Sequence, residues 1–326
     1  MKTNQKPFSV DILRIDDIET FCNTIVAKIR EDVTHHLFRR GAVVGISGGI
    51  DSSVSLALTV RALGAENVLG IMMPETDSSP ESELFARKLA EKFAVKTLLE
   101  DITPALQGFN CYKRRDEAIS NVIPDFNPEA DKAKIVIKQK IDQNIPPIFS
   151  VTVITPNEQE INKLLPVNEY LQIVASSNFK QRCRMSMLYY HAERLHYAVI
   201  GTPNKHEVEQ GFFVKYGDGG ADVMPIAGLY KTQVYQLAEY LGIPQEIIDR
   251  TPTTDTYSAE QTQEEFFYQL PFKMMDLIWY GWENNYQPYE VALPLGKSED
   301  EIENTFKNFE RKRRTTDYLR KAPIFY

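Results

Sequence analysis

The chain has 326 residues, of which 43% are hydrophobic, enough apolar material for one large core or two modest ones. Its formal net charge of −8 and pI of about 5.3 exclude a general nucleic-acid binder, whose surface would be basic. Cys22, Cys111 and Cys183 have no CxxC spacing and form no metal cluster, the N-terminal stretch has no apolar h-region, and no run of about 18 apolar residues occurs, so a protein of the reducing cytoplasm with no membrane association is expected.

In chain order, residues 18–40 read as a helix with Ile18, Phe21, Cys22, Ile25, Ile29 and Val33 on one face. The apolar run 42–46 reads as a buried strand, and 51–63 as the helix that follows it. A second strand is expected over 68–73, a helix over 81–93 and a third strand over 95–99. This alternation predicts an α/β fold, a Rossmann-like, doubly wound parallel sheet flanked by helices. Ligands of such sheets sit at the carboxyl ends of the strands.

The pattern breaks near residue 104. Residues 105–168 carry Pro124, Pro128, Pro146, Pro147, Pro156 and Pro166 among charged stretches. Within them, 148–155 alternates like a strand, 156–158 reads as a turn, and 160–165 can pair back. We read 105–168 as an inserted subdomain with a β-hairpin, and 1–104 with 169–326 as the domain that it interrupts. The α/β pattern resumes with a helix over 171–196, striped by Met185, Leu188, Tyr189, Ala192 and Leu195. A strand over 197–201 delivers Thr202 to the sheet rim, and Ser298-Glu299-Asp300-Glu301 is a capping-box start for a helix over 298–314.

The chemistry concentrates first in Ser47-Gly48-Gly49-Ile50-Asp51-Ser52-Ser53, between the strand 42–46 and its helix. The two glycines let backbone come close to an oxyanion and accept φ > 0, while the helix start adds N–H groups and a positive dipole end. Asp51 offers a carboxylate on which magnesium could meet phosphate oxygens. No lysine follows the glycines, so this is not a Walker A loop. The segment resembles the pyrophosphate loop (SGGxDSS) of ATP-pyrophosphatases, which release AMP and pyrophosphate. Further on, Thr202-Pro203-Asn204-Lys205-His206-Glu207 supplies a hydroxyl and a second candidate metal carboxylate, Glu207; in isolation both residues read as surface polar groups.

The string GFFVKYGDGGAD at 211–222 is similar to a signature of ammonia-dependent NAD synthetases. Asn178-Phe179-Lys180-Gln181-Arg182-Cys183-Arg184-Met185 looks like that family's NxxxRxRM helix. Leu229-Tyr230-Lys231-Thr232-Gln233 looks like its lysine segment, and Pro252-Thr253-Thr254-Asp255 like its Pro-Thr loop. The resemblance covers about 15–100 and 168–260 and implies an adenine nucleotide alpha hydrolase-like fold. It implies a two-step reaction, in which the nicotinate carboxylate of deamido-NAD attacks the α-phosphate of ATP and ammonia then displaces AMP from the acyl-adenylate. It also implies roles for residues. Ser47, Gly48, Gly49, Asp51, Ser52, Ser53, Thr202, Lys231 and Thr253 would bind the co-substrate ATP. Asp51 and Glu207 would hold Mg2+, with Asp51 and Lys231 catalytic, and Arg182, Phe213, Lys215, Asp222 and Lys312 would bind deamido-NAD.

Phe212 and Phe213 read equally as a nicotinate pocket or as core aromatics, and Lys312 in Arg311-Lys312-Arg313-Arg314 equally as a solvated helix end. His191, His196 and His206 read as structural. A homodimer sharing the deamido-NAD site is implied. Only 46 residues precede Ser47, too few for a nitrilase-like glutaminase domain, so free ammonia, or ammonia from a separate glutaminase, is expected. The 105–168 segment departs from the compact family pattern. The competing readings are adenylation of a different carboxylate acceptor and a non-catalytic ATP-binding partner subunit.

Overall fold

Helix α1 (Ile18–Glu31) is capped by Asp17, whose carboxylate accepts the Thr20 N–H at 3.0 Å, and it buries Cys22, Val26 and Ile29. The computed structural model describes residues 6–138, 148–252, 258–259 and 270–326. The helix expected over 18–40 is shorter. It passes into a π-helical turn at Asp32–His36, and Phe38 turns the chain at φ 54° so that the Arg40 N–H can donate to the His196 carbonyl at 3.0 Å. Strand β1 (Ala42–Gly45) then enters the sheet, followed by α2 (Ile50–Leu63), β2 (Val68–Met72), α3 (Pro80–Lys92) and β3 (Lys96–Leu99). Ala42 and Val44 join the apolar cluster of α1 and α2, while Val43 joins the cluster on the opposite face. Burial on both faces explains why β1 reads as an unbroken apolar run.

Between β3 and the next sheet strand come α4 (Thr103–Gly108), α5 (Cys111–Val122), β4 (Lys132–Lys138), β5 (Ile148–Ile154) and β6 (Glu160–Leu164). The three strands form an antiparallel sheet in the order β4-β5-β6. The β5–β6 pair is the expected hairpin, its turn closed by the Thr155 N–H donating to the Gln159 carbonyl at 3.0 Å. Ala118, Ile119, Ile135, Val151 and Val153 give this segment its own apolar cluster, joined by Ile173.

Helix α6 (Val167–Leu195) starts a turn earlier than the apolar stripe suggests, directly after Pro166, whose ring cannot sit in the helix interior. Strand β7 (Ala198–Ile200) completes a parallel sheet of order β3-β2-β1-β7. Then follow α7 (Lys205–Gln210), α8 (Lys231–Leu241), α9 (Gln245–Ile248), α10 (Phe272–Glu283), α11 (Pro288–Leu295), α12 (Glu299–Thr315) and α13 (Asp317–Arg320). Ser298 and Glu301 form the capping box of α12, as expected. Packing of α10, α11 and α12 around Trp279 and Phe309 makes a second large apolar cluster. Among the described residues no helix is long and apolar enough to cross a membrane.

Candidate active site

The loop after β1 is shaped by two glycines with different duties. Gly48 sits at φ 72°, and a Cβ there would come 2.6 Å from the Ser82 carbonyl oxygen and 2.9 Å from Phe85 Cβ, so no larger residue fits. Gly49 is the N-cap of α2, and its carbonyl accepts the Ser52 and Ser53 hydroxyls at 2.9 and 2.8 Å. The Ser47 and Ser52 hydroxyl oxygens lie 3.2 Å apart. Ser47, Gly49, Asp51 and Ser52 line a cleft of about 140 Å³ at the α2 N-terminus, which Thr202, Glu207, Asp218 and Arg250 complete. Ser53 is fully buried, its hydroxyl donates to the Gly49 carbonyl, and it does not line the cleft. Gly48 likewise shapes the loop rather than lining the cleft.

Asp51 occupies the first turn of α2, and Lys231 is the first residue of α8. The Lys231 ammonium, 0% exposed, donates to Asp51 Oδ2. Burial opposes that charge, but the Asp51 and Glu207 carboxylates outweigh it and raise the Lys231 pKa. Glu207 reaches the same place from α7. Its Oε2 accepts the Asn204 N–H at 2.9 Å, while Asn204 Oδ1 accepts the His206 and Glu207 N–H groups at 3.0 and 3.2 Å, a reciprocal capping box. Burial first, then the Asp51 charge, pushes the Glu207 carboxyl up to about 8, with Lys231 pulling the other way. The remaining Asp51 oxygen, Oδ1, is buried with no hydrogen-bond partner. An orphaned carboxylate oxygen beside a second, proton-hungry carboxyl fits a hard divalent cation. Among the described residues no cluster of three or more metal-ligating side chains occurs. Such a cation would therefore complete its shell with water and phosphate oxygens, as magnesium usually does.

Next to the cleft lies a cavity of about 810 Å³, within the size range of small-molecule sites. Its floor is the carboxyl edge of the sheet at Ile46, Met73 and Gly201; Thr202, Glu207 and Asp218 line both spaces. Phe213 and Lys312 line it. Phe213 lies so close under Gly219 that a Cβ there would come within 2.2 Å of its ring. Phe212 lines the cavity and also packs against the C-terminal apolar cluster. Burial, then the Arg311 guanidinium, pushes the Lys312 ammonium down to about 7.

Three expected ligand contacts do not reach this cavity. Arg182 Nε donates to the Lys215 carbonyl at 3.3 Å. Lys215 Nζ donates to the carbonyls of Tyr318 at 3.0 Å and Lys321 at 2.7 Å, which ties down the C-terminal tail. Asp222 accepts the Tyr189 hydroxyl at 3.0 Å and the Val199 N–H at 2.8 Å, closing the free edge of β7. The face of α6 that meets the cavity instead carries Ser177, Gln181, Arg184 and Leu188. That i, i+4, i+7, i+11 spacing was available in the sequence. Asp218 and Arg250 are further residues that the motifs did not single out. Asp218 Oδ1 accepts the Val214 N–H at 2.8 Å, and burial raises its carboxyl to about 6. Arg250 donates to Ser82 Oγ at 3.2 Å and lies over the Phe85 ring. Thr253 lies outside the described residues.

The three histidines have structural partners. His191 pairs with Glu100 at 2.7 Å, His196 with Arg39 at 3.0 Å, and His206 with Asp276 at 2.6 Å. A buried ionic network fastens the inserted segment to the loop after β2. Lys180 donates to Glu75 at 3.0 Å and Asp77 at 2.6 Å, Arg115 donates to Asp77, and the Tyr112 hydroxyl donates to Glu75 at 2.7 Å. Glu75 also lines the cavity, as do Ile137 and Phe149 of the antiparallel sheet.

Comparison with known proteins agrees with this arrangement. The NAD synthase family model matches residues 21–135 and 125–323. The NH(3)-dependent NAD(+) synthetase of Rhizobium meliloti is 48% identical over 320 residues, covering 98% of this chain and 95% of that protein. The enzyme of the same name from Rhizobium rhizogenes is 43% identical over 327 residues, covering 98% of each. Coverage this complete means that residues 105–168 are shared with these relatives, although they depart from the compact pattern. Two solved structures share the fold at TM-score 0.63: an NMN synthetase from Francisella tularensis (20% identity, 96% of this chain and 99% of that one) and the NH3-dependent NAD synthetase from Campylobacter jejuni in complex with nitrate (21%, 96% and 100%). The chain belongs to the NAD synthase family.

Proposed function

We propose that this protein makes NAD from deamido-NAD, ATP and ammonia through an acyl-adenylate, releasing AMP and pyrophosphate. The observation that carries the reading is the Asp51–Lys231–Glu207 cluster, set at the α2 N-terminus where the cleft meets the large cavity. The first step brings an anionic carboxylate to an anionic triphosphate, a repulsion of about 4 kcal/mol per pair of unit charges at about 4 Å and intermediate dielectric. The glycine-loop backbone, the Ser47 and Ser52 hydroxyls, Thr202 and the Lys231 ammonium would hold ATP against that repulsion, with Thr253 completing the set. Asp51 and Glu207 would hold Mg2+, which supplies charge neutralisation at the phosphates.

In the second step the nucleophile must be neutral ammonia. Asp218 borders both cleft and cavity and is a carboxylate above about pH 6, which suits it to take a proton from ammonium. Phe213 and Lys312 would hold deamido-NAD inside the cavity. Arg182, Lys215 and Asp222 lie on the outer side of the same helix and loop, and a homodimer would bring them to the dinucleotide of a second copy. Exposed Val167, Leu171 and Tyr190 on α6 support such a contact. Cytoplasmic location, and ammonia taken free or from a separate glutaminase, belong to the same reading.

The test is incubation with ATP, magnesium, ammonium and deamido-NAD, with products read by mass spectrometry. NAD and AMP in equal amounts are expected, and ADP in place of AMP would refute the reading. A parallel arm with a carboxylate-bearing pyridine mononucleotide separates acceptors: faster turnover there would move the assignment to that acid.

A further inference from the structure

A line of buried polar groups that the proposed reaction leaves unused runs between the two lysines of the site. Asp276, in α10, is 0% exposed. Its Oδ2 accepts the Thr232 N–H at 2.7 Å and its Oδ1 the Lys231 N–H at 3.3 Å, so a carboxylate from a distant helix holds the turn from which the Lys231 side chain starts. His206, also 0% exposed, lies 2.6 Å from Asp276 Oδ1 through Nε2, and its Nδ1 faces Gln210 Nε2 at 3.2 Å. Gln210 in turn offers Oε1 to the Lys312 ammonium at 3.5 Å. The amide can satisfy both neighbours in one orientation only. Its oxygen takes Lys312 and its nitrogen donates to Nδ1, which leaves the His206 proton on Nε2, directed at Asp276. Donors therefore run one way from Lys312 through Gln210 and His206 to Asp276, whose carboxylate also accepts the Lys231 and Thr232 N–H groups from the other side.

We propose that Asp276, His206 and Gln210 are positioning residues that fix the Lys312 ammonium relative to the backbone turn from which the Lys231 side chain starts. Burying three polar side chains next to Met275 and Trp279 is a poor way to gain stability, because apolar residues of the same volume would pack there without desolvation. The polar chain does what an apolar core cannot: it gives directional restraint at both ends. The Lys312 ammonium needs such restraint, since four rotatable bonds separate its charge from its backbone. The inference rests on reading Lys231 as a nucleotide contact and Lys312 as a contact of the acid co-substrate.

The experiment compares Asp276→Asn, His206→Leu and Gln210→Leu with the wild type. Five quantities are measured: kcat and both KM values for NAD formation, the affinity for ATP with magnesium by calorimetry, and the melting temperature. Asp276→Asn should lower kcat and ATP affinity about tenfold each. Gln210→Leu should raise the KM for the acid about tenfold, more than it lowers kcat, and His206→Leu should show both effects. Gln210→Glu, which keeps an acceptor for Lys312, should recover most of the loss in KM. A merely structural role would lower the melting temperature and leave both KM values and the ATP affinity of the folded fraction in place; that result overturns the proposal. If Asp276→Asn does not fold, the KM shift in Gln210→Leu decides. ATP affinity needs no acceptor. A wild type that makes no NAD would sink the functional reading, while loss of ATP affinity in Asp276→Asn would still uphold the positioning role.

Discussion

Replacing Lys312 by methionine separates what this side chain costs the fold from what it contributes to a ligand. Its pKa falls from 10.5 to about 7, through burial and then the Arg311 guanidinium. At about 1.4 kcal/mol per pH unit, that depression sets a ceiling of about 5 kcal/mol on the cost of the charged form. Lys312 keeps an edge on the cavity and donates to Gln210, so K312M should gain less, about 1–2 kcal/mol near pH 6. The sign follows from the protons. Below pH 7 the folded and unfolded chains both carry the proton, and the folded wild type bears the full cost. Between about pH 7 and 10.5 the folded chain has released it while the unfolded chain still binds it, so wild-type stability climbs toward that of the variant. Urea unfolding of both proteins near pH 6, 7.5 and 9 measures this, and the advantage of K312M should shrink at each step. An advantage that stayed constant with pH, or a variant destabilised near pH 6, would refute the reasoning. The same substitution should raise the KM for the acid co-substrate about 10- to 100-fold, the worth of one charge-assisted hydrogen bond.

Asp218→Asn should lower the amidation rate by about 10²- to 10⁴-fold while ATP binding persists, and in the wild type that rate should fall as the pH drops through about 6; stopped-flow assays over pH 5–8 check both. Gly48→Ala combines a φ of 72° with a 2.6 Å approach to the Ser82 carbonyl, so thermal unfolding should show a loss of about 2 kcal/mol or more. Lys180→Met leaves Glu75 without its ammonium partner and Asp77 with Arg115 alone, for an expected loss of about 3–5 kcal/mol in denaturant titration. The double variant Lys180→Met/Glu75→Gln should recover part of that loss, because the neutral amide of glutamine leaves no charge stranded.

The parts of the molecule that local rules govern were legible. An unbroken apolar run followed by Ser47-Gly48-Gly49 placed β1, its loop and α2 to within a residue, and Ser298 with Glu301 placed the start of α12. Helices α4 and α5 were not foreseen, since α5 buries only Cys111, Ala118 and Ile119 among charged neighbours, too few to print a stripe. In the site, Asp51, Glu207 and Lys231 meet although α2, α7 and α8 are far apart in sequence; motif resemblance, not periodicity, pointed to them. Arg182 was chosen over Arg184 by motif position, and helix geometry reverses their exposure to the cavity: 184 continues the stripe through 177 and 181, while 182 faces the Lys215 carbonyl. Asp276 had no local signal at all. Its partners are the backbone of α8 and a histidine of α7, contacts that only the tertiary fold creates.

Net charge and local charge answer different questions in this protein. The excess of 45 acidic over 37 basic residues argues against a polyanionic macromolecule as partner, yet both proposed substrates are polyanions. The resolution lies in placement. Arg184, Arg250 and Lys312 border the two cavities, and Lys231 stands directly behind Asp51 at the positive end of α2. Against them stand five carboxyl groups, Asp51, Glu75, Glu83, Glu207 and Asp218; Glu75 is paired with Lys180, and Glu207 and Asp218 are pushed toward the neutral form by burial. A cavity with low-dielectric walls focuses that local field onto small ligands that can enter it, while the acidic exterior repels a nucleic acid that cannot. The selectivity for small anions thus follows from where the cations are buried, and it predicts that raising ionic strength weakens ATP binding far less than it would weaken binding at an exposed basic patch, because buried charges are poorly screened.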